Sequence, residues 1–441
     1  MGKLFGTDGV RGAAGEFLTA ELALALGRAA TATAWDGATG PPQVLIIRDT
    51  RESGEMLEAA LAAGVSAAGG HALIGGVLPT PGASLLTLRH GFDLAAVVSA
   101  SHNPYADNGI KFFGSEGTKV SDDLERRIEA LVMGEEDGSV QSVGRIRELR
   151  GAAGDYLREL ELRFRDLDLS GKRVLLDCAN GATHAVAPEI FRRLGADVDA
   201  IATEPDGRNI NDGCGSTHIE GLAERVVAEG YDVGFAFDGD GDRMLAVDRA
   251  GEVVDGDELI ALAALHLRDA DRLPGEGVAV TVMTNYGFHT AMREAGIEVA
   301  VTSVGDRHVL AELLRRGWAL GGEQSGHIID TGFVPSGDGT ASALLTLEAL
   351  GSTDLADRQG MRKLPQRLVN VSVRDRAALA GATAVWEAVE VESQSLEGRG
   401  RVLVRPSGTE PLVRVMVEAP EATECDDVVA RLVSVVEREL G

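Results

Sequence analysis

The sequence predicts an α/β protein: three similar domains with mixed or parallel sheets, followed by a smaller C-terminal α+β domain. Three observations predict it. Apolar runs of strand length alternate with segments of helix length, and the runs end in polar, glycine-containing loops. That unit of strand, polar loop, helix and strand occurs three times along the 441 residues. Near residue 367 the rhythm changes to three strand-like runs and one long amphipathic stretch. The expected domain boundaries are 1–153, 154–255, 256–366 and 367–441.

In the first domain, Phe5-Gly-Thr-Asp-Gly-Val-Arg11-Gly12 reads as a tight loop with Arg11 a mobile cation at its end, a terminal turn being the plain alternative. A helix is expected over 19–34, a strand over 44–47 ending in Arg48-Asp-Thr-Arg51, and a second helix over about 53–68. Val77-Leu-Pro-Thr-Pro81 reads as a rigid connection. The apolar run 94–98 is a buried strand. Ser101 follows it in Ser99-Ala-Ser-His-Asn-Pro104, on a loop at the carboxyl end of a strand, where open α/β sheets put their chemistry. Lys111 comes next; the chain has only five lysines, so composition alone does not put one there.

The second domain is expected to hold a strand over 172–177, a helix over 185–194 and a strand over 232–237 that ends in Asp238-Gly-Asp-Gly-Asp-Arg243. The third holds a strand over 278–282, a helix, and a strand over 318–320 that ends in Gly322-Glu-Gln-Ser-Gly-His327. In the fourth, strands over 369–373, 402–404 and 412–417 accompany Arg405-Pro-Ser-Gly-Thr409, and a helix over about 422–440 closes the chain. Linkers are expected near 151–154, 255–257 and 365.

A formal charge of −27 argues against a nucleic-acid surface or an anionic membrane partner. Any anion site must therefore be a local exception built by Arg and Lys. Cys178, Cys214 and Cys425 are odd in number and far apart, which fits a reducing compartment. No run reaches the roughly 18–20 apolar residues of a spanning helix, no signal-peptide pattern is read at the start, and a cytoplasmic location is expected.

Asp238, Asp240 and Asp242 alternate with glycine after an apolar strand. Three carboxylates this close repel one another unless a cation sits among them, and Mg²⁺ suits oxygen ligands of this kind. An EF-hand fails, since Arg243 and Arg249 hold its sixth and twelfth positions; a solvated acidic turn is the alternative. Arg405, Ser407, Gly408 and Thr409 offer a guanidinium, two hydroxyls and a freed backbone for a phosphate dianion, with Arg414 a second cation; an ordinary turn with a surface arginine is the alternative. Neither G-x-x-x-x-G-K-[ST] nor a complete G-x-G-x-x-G occurs, position 244 being Met. Glu323 and Ser325 suit vicinal sugar hydroxyls. Val304-Gly-Asp-Arg-His308 reads as another compact polar loop, with His308 a structural hydrogen-bonder. His102 is a poor base for Ser101, because neighbours on an extended loop point apart, and G-x-S-x-G is missing around Ser101. A serine with a metal loop and a phosphate anchor fits phosphoryl transfer better than acyl transfer.

These five motifs, in this order and spread over the whole chain, resemble those of the α-D-phosphohexomutase superfamily, most closely its bacterial amino-sugar branch. The resemblance implies four domains around a central cleft. It implies that Ser101 is the phosphoserine that donates and re-accepts the phosphoryl group. Asp238, Asp240 and Asp242 would hold Mg²⁺, with a phosphoserine oxygen of Ser101 as a further ligand. Arg243, Glu323, Ser325 and His327 would bind the sugar, and Arg405, Ser407, Gly408, Thr409 and Arg414 the non-reacting phosphate. Lys111, with His102 or Arg11, would assist proton transfer or neutralise charge. The implied reaction converts glucosamine 6-phosphate to glucosamine 1-phosphate through a sugar 1,6-bisphosphate that also serves as primer, for UDP-N-acetylglucosamine and peptidoglycan precursors. A homodimer is the common assembly of that branch, and a kinase or self-phosphorylation would load Ser101. Gln324 and the segment 282–287 match the amino-sugar branch, with Thr284 and Tyr286 in place of its commoner Ser and Leu. A glucose- or mannose-phosphate mutase is the alternative inside the superfamily, and a non-catalytic sugar-phosphate binder the one outside it.

Overall fold

The computed structural model describes residues 4–6, 8–36, 39–134, 143–407 and 410–441. Contacts divide the chain into two units. One comprises Met1–Val282 with Ala300–Gln359, the other Met283–Val299 with Gly360–Gly441.

Three mixed sheets build the first unit, and one design recurs in them. In the six-stranded sheet, Leu94–Val98 pairs in parallel with Gln43–Arg48 and antiparallel with Asp107–Gly114. In the five-stranded sheet, Val233–Phe237 pairs in parallel with Arg173–Asp177 and antiparallel with Met244–Asp248. In the four-stranded sheet, Leu320–Gly322 pairs in parallel with Gly277–Thr281 and antiparallel with Ile328–Asp330. The loops carrying Ser101, Asp238 and Glu323 are thus the same structural feature. Each joins an inner parallel strand to the antiparallel strand that follows it. The sheets are mixed, as expected, with an antiparallel strand after each of these three loops; apolar periodicity sets which face is buried but not the direction of the neighbour.

Helices expected from sequence occur at Ala20–Ala34, Gly54–Ala67 and Val186–Arg193. Thr19 caps the first by accepting from the Leu22 N–H at 3.3 Å. This sheet and its helices share a core that includes Leu26, Val44, Ile46, Leu61, Val98 and Phe112. Burying each large apolar side chain there stabilises the unit by about 1.5–3 kcal/mol.

Several expectations are corrected. The rigid connection before Pro81 contains the end of a strand, His71–Val77, and the start of a helix, Thr80–His90, with proline in its first turn. The expected linkers at 151–154 and 255–257 are helix starts, for Ala152–Arg163 and Gly256–Asp269. The polar stretch at 304–308 likewise opens the helix Asp306–Arg316. In each case residues that read as linker or loop by composition serve as a helix start.

In the second unit, Leu412–Glu418 lies between Gln366–Ser372 and Arg401–Pro406, antiparallel to both. The helix Ala422–Leu440 buries Cys425, Val428, Leu432 and Val436 in this unit's core. Among the described residues, no helix is long and apolar enough to cross a membrane.

Candidate active site

Ser101 ends its loop's descent from the strand in the left-handed region, at φ +53°. Its Oγ donates to Asp238 Oδ2 at 2.6 Å and lies 3.3 Å from His102 Nδ1. The second contact corrects the expectation that His102 points away. That expectation assumed an extended loop, and a left-handed residue instead turns the two side chains toward each other.

Lys111 arrives by register. It pairs across from Val97, on the strand returning from the Ser101 loop. Its Nζ lies 2.7 Å from Asp240 Oδ2, 3.3 Å from Asp8 and 3.9 Å from Asp242, and the side chain is almost fully buried. Burial opposes the charge, but Asp240, Asp8 and Asp242 outweigh it and hold the ammonium well above its ordinary range.

Asp238, Asp240 and Asp242 are all buried and present ligand oxygens within 4.8 Å of one another. Asp240 Oδ2 also accepts from Thr80 Oγ1 at 2.7 Å. Asp240 Oδ1 and Asp242 Oδ1 are buried without a hydrogen-bond partner. Burial and the charges of Asp240 and Asp242 push the Asp238 carboxyl well above the usual range. Asp240, despite its burial, is held low by Lys111. Two orphaned carboxylate oxygens in a buried acidic triad fit a hard divalent cation.

The third loop completes this set. Met244 N–H donates to the Gly326 carbonyl at 3.0 Å. His327 is 3% exposed; its Nδ1 faces Asp242 at 3.6 Å, and its Nε2 accepts from Gly337 N–H at 3.2 Å. It therefore stands behind a triad carboxylate. Glu323 Oε1 accepts from Gly305 N–H at 2.9 Å, and Ser325 is exposed. Gln324 turns its amide to Asp255 Oδ2 at 3.1 Å, so this marker of the amino-sugar branch braces a helix start. Arg243 Nε lies 3.9 Å from Asp242. Arg11 pairs with Asp8.

Asp8, Thr80, Lys119 and Asp306 belong to this network without having been singled out from sequence. Lys119 bridges Asp8 and Asp306, the latter at 2.6 Å. The scarcity of lysine that drew attention to Lys111 applies equally to Lys119. Thr80, between two prolines, and Asp306, inside an apparent loop, carried no comparable signal.

In the second unit, Arg405 and Arg414 sit directly opposite each other on antiparallel strands. Like charges in that relation repel; burial and Arg414 together lower the Arg405 pKa, and Arg414 Nε is buried without a hydrogen-bond partner. The pair suits an anion. Ser407 is buried and accepts from Glu410 N–H at 3.3 Å. Gly408 and Thr409 lie outside the described residues. Thr284, of the segment matching the amino-sugar branch, is buried, and its carbonyl accepts from Arg401 at 2.6 Å.

Family models of phosphoglucomutase/phosphomannomutase match along the chain: α/β/α domain I at 2–138, domain II at 155–251, domain III at 255–368 and the C-terminal domain at 368–435. The chain belongs to the phosphoglucomutase/phosphomannomutase family. Within it, the chain is 51% identical to a phosphoglucosamine mutase of Desulforudis audaxviator, covering 99% of this chain and 98% of the relative. It is 49% identical to that of Moorella thermoacetica, covering 98% of each. Among solved structures, a family protein from Burkholderia thailandensis shares the fold with a TM-score of 0.83 at 23% identity, covering 99% of this chain and 97% of the other. An N-acetylphosphoglucosamine mutase from Aspergillus fumigatus, in complex with GlcNAc-6P and magnesium, gives 0.68 at 18% identity over 99% and 96%.

Proposed function

We propose that this protein is a mutase that interconverts glucosamine 6-phosphate and glucosamine 1-phosphate, with phosphorylated Ser101 as the group carrier and a glucosamine 1,6-bisphosphate as intermediate. One observation carries the mechanism: a buried serine hydroxyl 2.6 Å from one member of an acidic triad that also receives a charged, buried lysine. The amino-sugar substrate is supported by the full-length likeness to phosphoglucosamine mutases.

In the forward direction the Ser101 phosphoryl group passes to the free 1-hydroxyl of the 6-phosphate. The Ser101 Oγ–P bond breaks, the sugar O1–P bond forms, and the proton of the 1-hydroxyl passes by way of His102 Nδ1, 3.3 Å from Ser101 Oγ, to the freed serine oxygen. The bisphosphate then returns its 6-phosphoryl group: the sugar O6–P bond breaks, the Ser101 Oγ–P bond re-forms, and the Ser101 hydroxyl proton passes to the 6-oxygen, giving glucosamine 1-phosphate. Asp238, Asp240 and Asp242 would hold Mg²⁺, which when bound supplies positive charge to the transferring phosphoryl oxygens. Lys111, kept charged by its carboxylates, acts as an electrostatic group and not as a base. His102 sits where a proton at the reacting oxygen can be held. Burial and the charges of Arg243 and Arg11 lower its pKa, so its ring is neutral and able to accept.

Glu323, Ser325 and Arg243 bind the sugar in this reading, and His327 positions Asp242. Arg405, Ser407, Gly408, Thr409 and Arg414 take the phosphate that is not transferred. The same reading includes a cytoplasmic location and the four domains bounded at 153, 255 and 366.

A side-by-side assay tests it. Glucosamine, glucose and mannose 6-phosphates are followed by ³¹P NMR with Mg²⁺ and a trace of bisphosphate primer. The expected result is kcat/KM highest for the amino sugar. Equal or faster turnover of glucose or mannose phosphate would move the protein to the other branch of its family.

A further inference from the structure

The Ser101 loop hangs from one buried cation that the mechanism above does not use. Arg51 is 1% exposed. Its Nε donates to Asp49 Oδ2 at 2.9 Å. One terminal nitrogen donates to the carbonyls of Ser101 and Asn103, both at 2.8 Å, and the other to those of Pro104 and Asp107, the latter at 3.0 Å. The guanidinium thus faces four carbonyls along seven residues of chain. Asp49 holds the other end of the same loop. Its Oδ2 accepts from Ser99 Oγ at 2.6 Å, and that hydroxyl accepts from Ser101 N–H at 2.9 Å.

A second donor reaches the same point from the loop between the strand Asp197–Ile201 and the helix Glu220–Glu229. Asn211 Nδ2 donates to the Ser101 carbonyl at 2.9 Å and to that of Asn103 at 3.2 Å. Gly239, inside the acidic motif, packs against this junction; a Cβ there would lie 2.6 Å from the Ser101 carbonyl oxygen and 2.7 Å from Asn211 Nδ2. Peptide N–H and carbonyl of Ser101 are therefore both fixed, the carbonyl by two side chains.

We infer that Arg51 and Asn211 are positioning residues that clamp the Ser101 carbonyl and so hold Ser101 in the left-handed conformation that aims Oγ at Asp238 and His102. A serine rarely adopts this conformation unless its surroundings enforce it. Without the clamp, rotation about φ carries Oγ away from both partners. Lysine cannot replace Arg51, because one ammonium with three donors cannot span four carbonyls and a carboxylate. Neither clamp residue touches Oγ, so both act through the backbone.

The inference rests on Ser101 as the phosphoryl carrier. The test compares R51K, N211A and the control R163K, an ion-paired arginine remote from the loop, as full-length proteins loaded with glucose 1,6-bisphosphate. For each, kcat and KM for glucosamine 6-phosphate, the ³¹P resonance of the phosphoserine and the melting temperature are measured. R51K is expected to lose about 100-fold in kcat with KM nearly unchanged, since misplacing a reacting group penalises the transfer step and not binding. N211A, which removes one of two donors and leaves no buried charge unpaired, is expected to lose about 10-fold and stay folded. Both should shift or split the phosphoserine resonance, and R163K should not. If R51K does not fold, N211A decides. Native kcat and an unaltered resonance in N211A, or losses in the clamp variants that follow melting temperature as in R163K, would overturn the clamp alone. Turnover by S101A would overturn the phosphoserine reading itself, and the clamp with it.

Discussion

Ser101 Oγ donates to Asp238 Oδ2 at 2.6 Å, across two different sheets of one unit. A phosphoryl group on that oxygen would bring close to two negative charges against three carboxylates. Lys111, Arg243 and Arg11 do not balance Asp8 and the triad together with that dianion. In the proposed mechanism a further cation at the triad would offset that charge, and two buried carboxylate oxygens there, Asp240 Oδ1 and Asp242 Oδ1, have no hydrogen-bond partner.

Removal of the divalent ion should accordingly silence the enzyme, and Mg²⁺ should restore it. Asp240→Asn should weaken Mg²⁺ binding by calorimetry, because it removes a ligand and frees Lys111. Activity indifferent to a chelator would remove the metal role of the triad.

Lys111→Gln should lower kcat by about 10²–10³-fold, the usual loss when one preorganised charge at a reacting oxygen is removed. The lysine's pKa lies above its ordinary range, so the group stays charged throughout the working pH range. The pH–rate profile of the variant should be lower and unchanged in shape. Loss of a titration limb would show that Lys111 exchanges protons after all.

His102 makes the opposite prediction. Its pKa is lowered, so the neutral ring persists above that value and is lost as pH falls through it. Native activity should drop on an acid limb lying below the usual histidine range. His102→Gln should remove the limb and lower the plateau by about 10²–10⁴-fold. An acid limb that survives the substitution would assign it to another group.

Asp338 gives a stability prediction from behind the site, between Gly337, whose N–H donates to His327 Nε2, and Gly339, whose N–H donates to the Gly241 carbonyl at 3.0 Å. It is buried, caps the helix Gly339–Leu350 and accepts from Tyr156 Oη at 2.9 Å. Burial raises its pKa from 3.8 to about 6. The native state then holds a proton that the unfolded chain releases between those values. Stability from this group is full below about pH 4 and is lost as pH rises through about 6, by about 3 kcal/mol. Asp338→Asn should therefore gain melting temperature relative to the native chain between pH 5 and 7.5. A pH-independent difference would contradict the shift.

The parts of the fold legible from sequence are those set by local chemistry. Apolar runs marked the strands that end at Ser101 and Asp238, and periodicity located Ala422–Leu440 to the residue. The direction of the following strand was not legible, because alternation does not name a partner. That direction pairs Lys111 with Val97, four residues before Ser101, and sends its ammonium to Asp240. The left-handed Ser101 was hidden for a related reason. Its signal is not its own side chain but Arg51, Asn211 and Gly239, which lie far away in sequence. Asp306 read as loop because a helix start and a turn draw on the same small polar residues.

The most direct measurement follows the phosphoryl group itself. The native enzyme is loaded from ³²P-labelled glucose 1,6-bisphosphate, digested and mapped, then a second portion is chased with glucosamine 6-phosphate. The account predicts label on the peptide containing Ser101 and its transfer to glucosamine 1,6-bisphosphate as fast as steady-state turnover. Label on another residue, or label on Ser101 that does not leave with the sugar, would contradict it.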